Sequence, residues 1–124
     1  MKINKLGNIF KPSGDLAWMA SHCQLPSPIL LDDRGSCRVF FAGRTSEQVS
    51  SIGFLDINLN DPAKIIHASE TPVLEHGEIG CFDQFGVFPS SIIKRDGKFW
   101  MYYIGWVKGA VPPLFYASIG LAVS

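Results

Sequence analysis

The chain has 124 residues, of which 47% are apolar, including nine Phe, three Trp and three Tyr; this is material for one core and about one domain. Eleven Lys and Arg balance eleven Asp and Glu, with no basic run, which argues against a nucleic-acid backbone as partner. The opening residues lack the apolar stretch of a signal peptide and no segment approaches membrane-spanning length, so a soluble, cytoplasmic protein is expected.

In chain order, period-2 or continuously apolar runs bounded by turn residues recur, while helical periodicity is nearly absent. A first short strand is expected at 5–12, closed by Pro12. Four strands follow near 27–31, 37–43, 50–58 and 64–69, with turns at Asp32-Asp33-Arg34-Gly35 and Asn58-Leu59-Asn60-Asp61-Pro62. Three more are expected near 89–94, 98–105 and 115–124, the first two joined by an Arg95-Asp96-Gly97 hairpin turn. Cys23, Cys37 and Cys81 are odd in number and show no CxxC spacing, the pattern of free thiols in a reducing compartment.

The two strand groups repeat each other. Gly35 and Gly97, and likewise Gly43 and Gly105, are 62 residues apart, and Ser51-Ile52-Gly53 returns 67 residues later as Ser118-Ile119-Gly120. Repeats of this length built from short strands point to antiparallel β-propeller blades. The expected fold is all-β, with about two blade equivalents: 27–69 is one blade and 89–124 supplies three strands of another. The 5–12 segment resembles the fourth strand of the first blade and reads as a permuted outer strand. Two blades do not close a ring, so either a longer chain or several copies joined head to tail are expected to complete it. A small two-sheet sandwich is the alternative.

Antiparallel succession places 13–26, 44–49, 71–89 and 106–114 on one face and the tight turns on the other. The long-loop face gathers the candidate binding residues Trp18, His22, Arg44, Gln84 and Trp106, together with Asp15, Glu47, Glu75, His76, Glu78 and Lys108. Carboxylates, cations and Trp planes are the residue types of carbohydrate sites. Asp83 is the candidate catalytic carboxylate: it stands among apolar neighbours in Gly80-Cys81-Phe82-Asp83-Gln84-Phe85-Gly86-Val87-Phe88, where a charged group normally needs a purpose. Burial would raise its pKa and a neighbouring Arg44 would lower it. No metal or other cofactor is expected, since His22 and His76 show no ligand spacing.

The Phe82-Asp83 to Ser90 stretch, Gly97-Lys98-Phe99-Trp100-Met101-Tyr102-Tyr103-Ile104-Gly105 and Ile119-Gly120-Leu121-Ala122-Val123-Ser124 resemble the five-bladed β-propeller glycosidases, which include glycoside hydrolase families 32, 43, 62, 68 and 130. The likeness runs along the whole chain and corresponds to the first two-fifths of such an enzyme. It implies carbohydrate as substrate or ligand, with Asp83 at the acidic position that opens the second blade. Where several of these families place a carboxylate opening the first blade, Trp18-Met19-Ala20-Ser21-His22-Cys23-Gln24 has none, and Asp15 is several residues early. The general acid of the superfamily would lie in a later blade. Three functions follow as expectations: part of a glycoside hydrolase or glycan phosphorylase, incomplete for catalysis alone; an oligomeric lectin-like binder; or a structural fragment without ligand.

Overall fold

The structure, a computed structural model, describes residues 1–31 and 35–124, so the expected turn at Asp32-Asp33-Arg34 lies outside the described residues. Among the described residues seven strands run in chain order as β1 (Ser21–Leu30), β2 (Ser36–Arg44), β3 (Ser50–Asn58), β4 (Asp61–Ala68), β5 (Gly86–Arg95), β6 (Lys98–Lys108) and β7 (Phe115–Val123), preceded by a 3₁₀ turn at Ala17–Met19. The fold is all-β, as the alternating and apolar runs require. Residues 5–12 carry no strand in this chain, although Phe10 packs its ring against Phe41 at 5.6 Å. None of the described helices is long and apolar enough to cross a membrane.

Strand limits differ from the sequence expectation where the backbone departs from simple pleating. β1 begins at Ser21 rather than near 27 because it is bulged twice, between Ser21 and Gln24 and between Gln24 and Ser27. His22 and Leu25 sit at φ +65° and +52° there, which breaks the alternation that a strand leaves in sequence. β6 extends to Lys108 because Trp106, Val107 and Lys108 continue the ladder opposite Ala117, Tyr116 and Phe115. The Arg95-Asp96-Gly97-Lys98 turn forms as expected: Asp96 and Gly97 both take positive φ, +52° and +76°, the requirement of a two-residue type I′ hairpin.

β1 to β4 form one antiparallel half and β5 to β7 another. A single parallel bridge, Ser50 with Gly86, links them into one open seven-stranded sheet. The approach is close at that point: a Cβ on Gly86 would collide with the Ser50 side chain and backbone and with the Trp106 indole.

Period-2 alternation on β2 and β3 divides their side chains between two cores. Cys37, Phe41, Leu55 and Ile57 join Trp18 and Met19 in one. Phe40 and Ile52 point the other way and meet Val87, Met101 and Tyr103 of the second half. β2 and β3 are thus covered on both faces, which is why they read as almost unbroken apolar runs.

The repeat is visible in packing as well as in sequence. Trp18 stacks on Phe41 at 5.9 Å and 27°, and Phe82 stacks on Tyr103 at 6.0 Å and 27°. Gly43 is held bare by Trp18 and Met19; Gly105, its counterpart, is held bare by Phe82 and Asp83. Phe40 and Ile52, 4% and 0% exposed, are covered by the second half. Their counterparts in the second half, Tyr102 and Ile119, are 45% and 81% exposed. The same face therefore carries a neighbour in the first half and is open in the second.

Candidate functional site

The strand directions fix the faces. β2 and β6 end, and β3, β5 and β7 begin, on the side that carries 13–20, 45–49, 69–85 and 109–114; the short turns at 59–60 and 96–97 lie on the opposite side. Loops on a strand scaffold are the usual place for a site, and on this side the two halves meet at the Ser50–Gly86 junction. Trp106 Nε1 donates to Ser50 Oγ at 3.1 Å, which fixes the indole plane beside that junction.

Around Trp106 an aromatic group assembles. Phe88 lies parallel to it, with centroids 6.2 Å apart and planes at 6°, and Phe85 stands 6.1 Å away. The Arg44 guanidinium is 5.8 Å from the Trp106 ring and 5.9 Å from Phe88. Its Nε donates to Gln24 Oε1 at 3.1 Å and its Nη1 to Gln48 Oε1 at 3.4 Å. Arg44, Phe88, Trp106 and Phe115 line a small pocket of about 90 Å³. Lys108 Nζ lies 4.6 Å above the Phe85 ring. Arg44 and Trp106 are thus brought together as one cluster. Gln24, Phe88 and Phe85 belong to the same cluster, and the sequence carries no signal for them, because each looks like an ordinary strand or loop residue until the strands pair.

The other expected residues are placed elsewhere. Gln84 accepts from the Gly80 backbone N–H at 2.6 Å, closing its own loop, and borders an open depression of about 760 Å³ with His76, Glu78 and Phe85. His22 is exposed and shares a 2.8 Å hydrogen bond with Ser21, the residue paired with Arg44 at the strand end. Trp18 is buried, and its indole N–H donates to the Glu70 carbonyl at 2.9 Å. It is a packing residue of the first half, not an exposed platform for a sugar ring.

Asp83 is buried, as its apolar surroundings suggested. The group beside it is Tyr103, whose hydroxyl donates to Asp83 Oδ2 at 3.1 Å, rather than Arg44. Tyr103 has its pKa raised, first by burial and then by the hydrogen bond to Asp83 and that residue's charge. The repeat explains the pairing: in the first half Met19 and Phe41 stand where Asp83 and Tyr103 stand in the second. The carboxyl group and the hydroxyl that satisfies it appear together.

No group of three or more His, Cys, Asp or Glu side chains that would hold a metal ion occurs among the described residues. The thiols of Cys23, Cys37 and Cys81 are free. Burial pushes the Cys23 thiol up to about 11, and also raises Cys37. Both are weak nucleophiles at neutral pH. A third cavity, about 260 Å³, separates the halves beside Arg38, Phe40, Phe99 and Met101, but its one cation is already neutralised by two hydrogen bonds of 2.8 and 2.9 Å to Asp56.

No family model matches this chain. It is similar along its whole length to two proteins of Mycobacterium tuberculosis, Uncharacterized protein MT1551 of strain CDC 1551 / Oshkosh and Uncharacterized protein Rv1502 of strain ATCC 25618 / H37Rv. Each is 37% identical over 124 residues, and the chain spans 41% of the length of each.

Proposed function

We propose that this chain forms part of a β-propeller whose long-loop face binds carbohydrate, in the manner of the propeller glycosidases that it resembles. The observation that carries the reading is the Trp106–Phe88 pair with the Arg44 guanidinium and Gln24 amide at its rim. Stacked aromatic rings beside amide and guanidinium groups suit the apolar face and the hydroxyls of a sugar ring. Asp83 is the acid–base candidate of this proposal. It bonds to Tyr103 and to no second carboxyl group among the described residues, and glycosidic cleavage needs two. The reading is therefore binding by this chain, with turnover requiring further carboxylates. The test is titration of the intact chain with gluco-, galacto- and mannooligosaccharides, following the Trp106 indole N–H by NMR. A saturable shift for at least one sugar is expected; no shift with any of them would overturn the reading.

Head-to-tail stacking supports the blade interpretation, since one face of the second half seats on the opposite face of the first. The exposed Tyr102, Ile119 and Leu121 surface is then the seat of a further blade, from a second copy or from a longer chain. For the 124-residue chain we expect a homo-oligomer whose mass by light scattering falls to that of a monomer when Ile119→Glu and Leu121→Glu are combined. An unchanged mass in the double variant would remove this face from the association. The three free thiols suit a reducing, cytoplasmic location.

A further inference from the structure

Arg38 and Arg44 lie on the same strand, and both have an aromatic ring nearby, but their charges are treated differently. Arg38 Nε and Nη2 hold both oxygens of Asp56 at 2.8 and 2.9 Å, with the guanidinium 3.7 Å above the Phe54 ring. Arg44 is half-buried, and among the described residues its side-chain hydrogen bonds go to the neutral oxygens of Gln24 and Gln48. No carboxylate pairs with it among the described residues. The acidic residue in the adjoining loop, Glu47, is fully exposed and accepts from Ser46 Oγ at 2.8 Å instead. Lys108, at the end of β6, likewise has no ion pair among the described residues and lies over the Phe85 ring.

A guanidinium withdrawn from water without a counter-charge is costly unless something supplies one. The amides of Gln24 and Gln48 orient Arg44 without neutralising it; they take the Nε hydrogen and one on Nη1, which leaves Nη2 and the second Nη1 hydrogen for an anion with two oxygens in one plane. The pocket beside it, about 90 Å³, has the volume of roughly three waters. That space suits a single carboxylate or phosphate group and is too small for a whole sugar ring, which would have to lie outside it against the Trp106 and Phe88 faces.

We infer that the Arg44 pocket is an anion subsite, and that the ligand of this face is an acidic saccharide carrying a carboxylate or a phosphate. The inference rests on the carbohydrate reading for the body of the ligand, but not for the anionic group. Arg44 takes the anion in two hydrogen bonds, the aromatic pair carries the ring, and Lys108, over the Phe85 ring, adds a second positive charge to the same loop face. Gln24 is a positioning residue that acts through Arg44.

Four probes separate the possibilities when titrated into the intact chain at low salt, with the Trp106 indole N–H as the readout: glucose, glucuronate, glucose 6-phosphate and inorganic phosphate. The expected result is that glucuronate or glucose 6-phosphate binds at least about ten-fold more tightly than glucose. That preference is expected to vanish in Arg44→Gln and to weaken in Arg44→Lys, which keeps the charge but loses the fork. Whichever acid binds more tightly identifies carboxylate or phosphate as the group taken. Glucose binding as tightly as both acids would overturn the anion inference and leave the carbohydrate reading in place. Inorganic phosphate matching glucose 6-phosphate, with no response to glucose or glucuronate, would uphold the anion pocket and overturn the carbohydrate reading. Silence to all four probes would overturn the anion inference. Because the comparison among probes is made on the unaltered chain, it does not depend on either variant folding.

Discussion

Phe40→Ala is expected to cost about 3–5 kcal/mol of stability, while Tyr102→Ala, at the matching place in the repeat, is expected to stay within about 0.5 kcal/mol in the dilute chain. Both residues are aromatic, both occupy the middle of a second strand, and both point to the same side of their own half. Only the covering differs: Phe40 is 4% exposed beneath the second half and Tyr102 is 45% exposed. Truncating Phe40 empties the seat shared with Ile52, Val87 and Met101 and removes its edge contact with Phe99 at 6.0 Å. Set against a typical total of about 5–15 kcal/mol, the loss is large enough to unfold a marginal chain. Urea unfolding of the two variants at concentrations where the chain is monomeric measures this. Equal midpoints would mean that the two halves do not rely on each other, and the head-to-tail stacking would have to be abandoned.

The same contrast shows how far the sequence was legible. The repeat, the all-β class and the seven strands beyond residue 20 follow from Gly43 and Gly105, Ser51 and Ser118, and the Asp96-Gly97 turn, because turn chemistry and alternation are local properties. β1 starts six residues before its apolar run because its two bulges at His22 and Leu25 erase the alternation, and β6 runs three residues past its own because Trp106 to Lys108 carry no strand alternation of their own. Which face of each strand group is covered is not local. Phe40 and Tyr102 carry the same signal in sequence, and only the docking of one half on the other separates them. The site divides along the same line. Arg44 and Trp106 were recognisable as strand-end residues on the long-loop face. Their approach to within 5.8 Å required the Ser50–Gly86 junction, which no spacing announces. Trp18 was misleading for the converse reason: an aromatic residue in a loop-like segment looks available until Gly43 and Gly53 are seen to make room for it.

The largest effect at the candidate site is expected from separating Asp83 and Tyr103. Tyr103→Phe removes the hydroxyl and leaves a buried carboxyl group without its partner, a loss of about 1–3 kcal/mol. Asp83→Ala strands the hydroxyl in the same way. Removing both together is expected to cost less than the sum of the two single losses, with a coupling of about 0.5–3 kcal/mol, as the Met19 and Phe41 pair in the first half shows that this position tolerates an apolar pair. Additive losses would mean that the 3.1 Å contact contributes nothing. The pH profile gives a second readout. Tyr103 has its pKa raised in the folded chain, chiefly by burial, so the folded state holds its proton above pH 10 while the unfolded state releases it. The contribution is complete below about pH 10 and is lost as pH rises through the folded value. Tyr103→Phe should remove that part of the alkaline decline. Asp83→Asn separates support from ligand contact, since the amide oxygen still accepts from Tyr103. With stability kept, unchanged sugar binding would confine Asp83 to holding the second half together, and altered binding would place its carboxyl group against the ligand.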